Sequence, residues 1–367
     1  MRNISHKAFE RKFLENAMKH AIPVNAAFEL TPVCNLDCKM CYVHLQDPSI
    51  KNRLLNGDQW ISIMDQAFDL GMFSALLTGG EALTHPDFFR IYRHLTDRGI
   101  CVTLKSNGIL LNNDALEVFR KVPPTTLDVS VYGCDDESCR AVTGREIFET
   151  VDRNLRAALD ADMPLRLMIT PSVHMLPWIE RILRYAASFG VETRVNVYLA
   201  EPYSNTGRKK EDFGLTTEQI LEILRMAEEI IPDAATLEMD EEEVIATEKF
   251  SPEGAGEKGF LRCAAGRTRF SISWEGIMTP CLQFPKEIIS ESVLASGVAP
   301  AWKSVHEKTV ALRAPAKCAG CDANDECFWC PVKHGHAALS GRCDSRTCEL
   351  EKRRIMARMD RKEEQDK

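Results

Sequence analysis

The segment Val24-Asn25-Ala26-Ala27-Phe28-Glu29-Leu30, followed after three residues by Cys34-Asn35-Leu36-Asp37-Cys38-Lys39-Met40-Cys41, decides how this chain is read. The first part is an apolar, β-prone run. The second packs three thiols into eight residues. Iron–sulfur clusters are ordinarily held by four cysteines, so three at this spacing leave one coordination site for something else. An open metal position marks a reactive site rather than a structural one. A zinc knuckle or a chance cluster is the alternative, and neither requires the residues found downstream.

Outward from that loop, short β-prone runs alternate with amphipathic stretches. Strands are expected at 24–30, 73–78, 101–105, 127–131, 165–170 and 191–199, with helices at 60–70, 87–97, 147–161 and 178–189. A helix after each strand means parallel strands joined by right-handed crossovers. Six strands are too few for a complete eight-stranded barrel, so pattern alone allows an open six-stranded barrel or a flat α/β sheet. Both collect ligands at the carboxyl ends of their strands. The triple-cysteine loop lies at that edge, and so do Thr78-Gly79-Gly80-Glu81, Ser106-Asn107-Gly108 and Tyr132-Gly133. Each alone is a turn signal; together they converge on one mouth.

Further along, 215–231 reads as a helix begun by Thr216 or Thr217, and 238–243 as a solvated acidic face. Gly254-Ala255-Gly256-Glu257-Lys258-Gly259 matches a dinucleotide fingerprint, but no apolar strand precedes it, so it reads as a linker. Runs 267–273 and 277–280 flank Trp274-Glu275-Gly276 and read as a β-hairpin.

The 367 residues are 44% hydrophobic and 27% charged, an ordinary globular balance. A formal net charge of −8 argues against nucleic acid as a partner. Arg2, Lys7, Glu10, Arg11, Lys12, Glu15 and Lys19 leave no readable signal peptide. No apolar run approaches the ~20 residues needed to cross a bilayer, so no membrane partner and a cytoplasmic location are expected. Of 14 cysteines, three lie at 34–41 and eight between 263 and 348. In a reducing compartment that clustering favours metal over disulfides. Of the remaining three, Cys101 reads as a small buried residue in a strand, and Cys134 and Cys139 as residues of a surface loop. His44, His85, His334 and His336 receive no role, and Tyr42 and Tyr132 read as packing or adenine-stacking residues.

The cysteine triad with Gly79-Gly80-Glu81 after the next strand resembles the radical S-adenosylmethionine (SAM) superfamily over roughly residues 25–200. The resemblance implies an α/β fold, an open (β/α)6 partial TIM barrel. It implies a [4Fe–4S] cluster on Cys34, Cys38 and Cys41, with SAM chelating the fourth iron and cleaved to a 5′-deoxyadenosyl radical. By motif, Gly79, Gly80 and Glu81 meet the SAM amino group, and Ser106 and Asn107 its ribose or carboxylate. Ser130 is a further polar contact, and Met40 lends its backbone to the adenine edge. Ala82 stands where the family often has proline.

The C-terminal cysteines resemble the SPASM extension of that superfamily, a small cysteine-rich domain. Here Cys263 and Cys281 bracket Gly276, and Cys318, Cys321, Cys327 and Cys330 follow before Cys343 and Cys348. Eleven cysteines match one three-ligand and two four-ligand clusters. The family's interleaving puts Cys318, Cys321, Cys327 and Cys348 on a distal auxiliary cluster. It puts Cys263, Cys281 and Cys330 on a proximal one, with Cys343 as a fourth ligand or an open iron in its place; Cys343 and Cys348 could be exchanged. A zinc ribbon would space its two C-x2-C pairs more widely than the five residues here, and would leave four cysteines unexplained.

The expected organisation is an N-terminal helical segment at 1–23, a core barrel at 24–205 and a connector at 206–262. An auxiliary-cluster domain at 263–350 and a charged tail at 351–367 complete it. The resemblance implies a maturase acting on a peptide or protein, with a flavodoxin- or ferredoxin-type electron donor. About 24 residues precede the first strand, too few for a leader-binding domain, so leader recognition is expected to fall to the barrel, the tail or a separate leader-binding partner. The runner-up is an oxidoreductase or decarboxylase for a small molecule such as a sugar or tetrapyrrole precursor. A non-catalytic iron–sulfur sensor is the third reading.

Overall fold

The structure is a computed structural model that describes residues 6–43, 45, 49–50, 53–199, 209, 212–232, 235–236, 261, 263–319, 321, 327, 329–333 and 347–355. The glycine-rich segment 254–259, the acidic run 238–243, His44, His334, His336 and Cys343 lie outside the described residues.

After helix α1 (His6–Lys19), strands β1 (Asn25–Glu29), β2 (Ser74–Thr78), β3 (Cys101–Ser106), β4 (Thr126–Ser130), β5 (Leu165–Ile169) and β6 (Thr193–Val195) run parallel in sequence order. Helices α2 (Gly57–Asp69), α3 (Phe88–Asp97), α4 (Asn113–Lys121), α5 (Asp136–Thr143), α6 (Phe148–Asp160) and α7 (Ile179–Ala187) supply the crossovers. Helix α8 (Thr217–Ile230) leads to a two-residue strand β7 (Ala235–Thr236) beside β6. The six expected strands are all present, within one or two residues at most ends.

The expected hairpin forms as β8 (Arg269–Ile272) and β9 (Ile277–Thr279), with β10 (Glu291–Ser292) beyond it. Gly276 closes its turn at φ +72°, where a side chain would be strained. β8 pairs in parallel with β1, so the hairpin extends the barrel sheet. The order is β10-β9-β8-β1-β2-β3-β4-β5-β6-β7, and its two edges do not meet. The sheet is therefore an open barrel.

Period-two alternation sets what each wall faces. Val102, Leu104, Leu127, Val129, Leu167 and Ile169 are at most 1% exposed and pack beneath the helices. Thr103, Lys105, Asp128, Arg166 and Arg194 occupy the alternate positions, which line the lumen. On the outer face Phe28 of β1 meets Trp60 of α2 and Phe270 of β8, with ring centroids 5.9 and 6.4 Å away. Trp302, on the helix Val298–Val310, packs at a tilt against Phe270 with centroids 5.8 Å apart, and its indole N–H donates to Ala21 O at 2.7 Å. This apolar run locks the hairpin to the barrel's first strand. Among the described residues no helix is long and apolar enough to cross a membrane.

Candidate active site at the barrel mouth

The cysteine loop leaves the carboxyl end of β1 and is held from two sides. On one side, Lys39 N–H donates to Val142 O at 3.0 Å and Asp37 N–H to Thr143 O at 3.3 Å. Those carbonyls belong to the last turn of α5, where no intrahelical partner exists. On the other side, Gly80 N–H donates to Thr31 O at 2.7 Å and Glu81 N–H to Val33 O at 3.0 Å. A Cβ on Gly80 would lie 2.5 Å from Val33 O, and one on Gly79, at φ +143°, would lie 2.3 Å from Thr31 O. Only glycine permits the β2 turn to approach the cysteine loop this closely.

Cys38 is buried, and Cys34 and Cys41 are half-buried. All three thiols lie within electrostatic reach of the Tyr132 phenol, which also hydrogen-bonds Ser130 at the end of β4. Burial pushes the Cys34 thiol up to about 12, so a metal must displace its proton on binding. Among the described residues no disulfide joins the cysteines, and no three Cys, His, Asp or Glu side chains converge tightly enough to clasp a single ion. A four-iron cluster spreads its thiolates over the corners of a cube, a wider spacing. One buried donor fits such a group. Among the described residues Asn35 Nδ2 has no hydrogen-bond partner, while its Oδ1 accepts from Asn107 Nδ2 at 2.6 Å. The sulfides of a cluster would give that amide its acceptor.

Glu81 is 1% exposed. Its carboxylate accepts from Asn107 N–H at 2.7 Å, Ser106 Oγ at 3.2 Å and Leu83 N–H at 3.2 Å. Desolvation outweighs those bonds and lifts its pKa to about 7. Asn107 Nδ2 also approaches Cys34 Sγ at 3.7 Å, so one network joins Glu81, Ser106, Asn107 and the cysteine loop. Met40 is buried in the same loop. The N-terminal motif residues thus gather at one mouth.

Below the mouth the lumen is charged. Asp128 receives a bidentate pair from Arg166 at 2.7 and 3.0 Å, and at the amino end of β6 the exposed Glu192 accepts from Arg194 Nε at 2.6 Å. Tyr42 is occupied as well, its hydroxyl donating to Glu29 at 3.4 Å. Periodicity could not assign Glu29 and Asp128 to a face; register and burial now do.

The expected surface position of Cys139 is corrected: it sits in α5, 3% exposed. The helix starts at once after the Asp135 cap, which turns Cys139 into the core. Cys134 stays half-buried in the preceding loop, and Cys101 is half-buried on β3 rather than fully buried. His85 lies in the interior, its Nδ1 accepting from Asp87 N–H at 3.1 Å and its Nε2 on Leu55 O at 2.9 Å. That is the neutral tautomer of a structural histidine.

Among the C-terminal cysteines, Cys327 lies within electrostatic reach of Cys318 and Cys348, and Cys281 of Cys330. Burial pushes both Cys281 and Cys327 up to about 12. Tyr198, just beyond β6, joins this region to the barrel through Glu351 and Arg354, with Lys333 4.2 Å above its ring.

Residues 28–176 match the model of the radical SAM superfamily. An AdoMet-dependent heme synthase of Methanosarcina barkeri is 32% identical over 53% of this chain and 54% of its own length. The sporulation killing factor maturation protein SkfB of Bacillus subtilis is 22% identical over 71% of this chain and 60% of its own. The chain thus spans little more than half the length of these curated relatives. The structure of Streptococcus suis SuiB bound to S-adenosylmethionine superposes with a TM-score of 0.70, at 17% identity, over 94% of this chain and 84% of that one. SuiB bound to its precursor peptide SuiA gives 0.65 at 16% identity, over 91% and 79%. At those identities the likeness is one of fold. With the triad, the glycine–glutamate turn and the open barrel, residues 28–176 of the chain form a radical SAM domain.

Proposed function

We propose that the chain is a radical SAM/SPASM maturase that crosslinks, epimerises or oxidises a residue of a peptide or protein. The observation that carries this reading is the junction of the cysteine loop with Glu81, Ser106 and Asn107 at the mouth of an open barrel. Cys34, Cys38 and Cys41 would hold the [4Fe–4S] cluster. Glu81, Gly79 and Gly80 would receive the SAM ammonium, and Ser106, Asn107 and Ser130 its ribose or carboxylate. Met40 would offer backbone to the adenine. When bound, the cluster and SAM supply a carbon radical that abstracts a substrate hydrogen. The protein's part is to hold the cofactor by these polar groups, orient the substrate and keep water out.

The fold shared with a protein solved with its precursor peptide supports a peptide substrate. Cys318, Cys321, Cys327 and Cys348 are proposed to hold the distal auxiliary cluster, and Cys263, Cys281 and Cys330 the proximal one. The proximity of Cys327 to Cys318 and Cys348, and of Cys281 to Cys330, supports that division. A flavodoxin- or ferredoxin-type donor and a leader-binding partner complete the proposal. A second reading, a small-molecule enzyme acting on a tetrapyrrole precursor, is favoured by the 32% identity to a heme synthase.

The test is anaerobic. Reduced, reconstituted protein should convert SAM to 5′-deoxyadenosine, and the triple replacement of Cys34, Cys38 and Cys41 by alanine should abolish this. Cleavage surviving in that variant would refute the site.

A further inference from the structure

Lys105 is the lumen charge that the site above leaves unexplained. It stands on β3 one residue below Ser106, whose hydroxyl bonds Glu81, so its side chain rises from the lumen wall just beneath the mouth. Its register partner on β4 is Asp128, and the next on β5 is Arg166. Both carboxylates of this row are already engaged, Asp128 by Arg166 at 2.7 and 3.0 Å and Glu29 of β1 by the Tyr42 hydroxyl at 3.4 Å. Lys105 feels Asp128, Arg166 and Arg194 through space, and no hydrogen bond or ion pair ties it to any described residue. Lys105 is half-buried, and desolvation lowers its pKa. Lys105 and Arg166 thus share this row with two engaged carboxylates, and Arg194 stands further along the wall on β6. A buried charge is costly unless paired.

We propose that Lys105, backed by Arg166 and Arg194, recognises a carboxylate of the substrate and holds it in the lumen beneath the SAM site. The inference rests on the proposed function and deepens it by selecting the substrate class: an acidic residue of a peptide, or a carboxylate-bearing small molecule. Lys105 is then a positioning and specificity residue, with no covalent step of its own.

The experiment uses the full chain, reconstituted anaerobically and saturated with SAM. Isothermal titration compares the N-acetyl tripeptide amides Gly-Asp-Gly and Gly-Asn-Gly, and succinate with succinamide, on wild type, Lys105→Met and Lys105→Arg. Wild type should prefer the acid over its amide by about tenfold in one of the two pairs, the order expected of a charge-assisted bond. A preference in the peptide pair assigns the carboxylate to a peptide, and one in the succinate pair to a small molecule. Lys105→Met should erase the preference and Lys105→Arg retain part of it. Equal or absent binding of acid and amide by wild type overturns the proposal. So does a preference that survives in Lys105→Met, or a loss of SAM affinity in that variant without loss of preference, which would assign Lys105 to the SAM carboxylate. Formation of 5′-deoxyadenosine in the same preparation reports separately on the proposed function.

Discussion

Glu81 shows how much one buried residue can decide. Its three donors, Leu83 N–H, Ser106 Oγ and Asn107 N–H, are all uncharged. Nothing among them offsets the burial that lifts its pKa to about 7. On the proposed assignment the missing positive charge arrives with the SAM ammonium, which binds the ionised carboxylate. A group raised this way holds its proton below about 7 and must release it for the cation to bind. Affinity for SAM should therefore fall by about tenfold per pH unit below that value and level off above it. Titrations from pH 5.5 to 8.5 would check this, and Glu81→Gln should bind weakly without the slope. A flat wild-type profile would remove Glu81 from the amino-group role. The strand-end motif Thr78-Gly79-Gly80-Glu81 was legible in the sequence as a functional turn. Its glycines' other reason was not, because the carbonyls they approach belong to Thr31, Pro32 and Val33, which only folding brings near.

Helix α5 carries the element-scale lesson. It was absent from the sequence reading because its eight residues, Asp136–Thr143, are mostly short and polar, and Cys134 and Cys139 looked like loop residues. The structure closes it at one end with a reciprocal Asp135–Ser138 capping box and at the other with Gly144 at φ +75°. Its terminal carbonyls then hold the cysteine loop through Asp37 and Lys39. Asp135→Ala removes the cap and the 2.7 Å pair with Arg181. The cap alone is worth about 1 kcal/mol, and the exposed ion pair adds little. The variant should unfold at lower denaturant and, after reconstitution, carry less iron at the N-terminal site. Full iron occupancy despite the lost stability would mean that the loop does not depend on α5. Strands were easier to read, because apolar runs after helical patterns mark a parallel sheet regardless of context. What no local pattern contained was where the hairpin docks. That is set by Phe270 meeting Phe28 across the β1–β8 pairing, more than 200 positions apart in the chain.

At the scale of the whole molecule, the sheet makes one body of the barrel and the segment that leads into the C-terminal cysteines. Gln66 Oε1 of α2 accepts from Val298 N–H at 3.1 Å, and Trp302 packs on the hairpin. Tyr198 ties the far side to Glu351 and Arg354. If both auxiliary clusters are present, anaerobic analysis should approach about 12 iron and 12 sulfide per chain. A value of about four would leave the barrel site alone and return the C-terminal thiols to another use. The central claim is narrower: three cysteines hold the barrel cluster, and SAM takes the iron they leave open. Electron–nuclear double resonance on the reduced protein with SAM labelled by 15N at the methionyl amine tests it directly. The account predicts a 15N coupling at a cluster that vanishes when Cys34, Cys38 and Cys41 are replaced. A fully assembled cluster at those cysteines with no coupling to the labelled amine would contradict it.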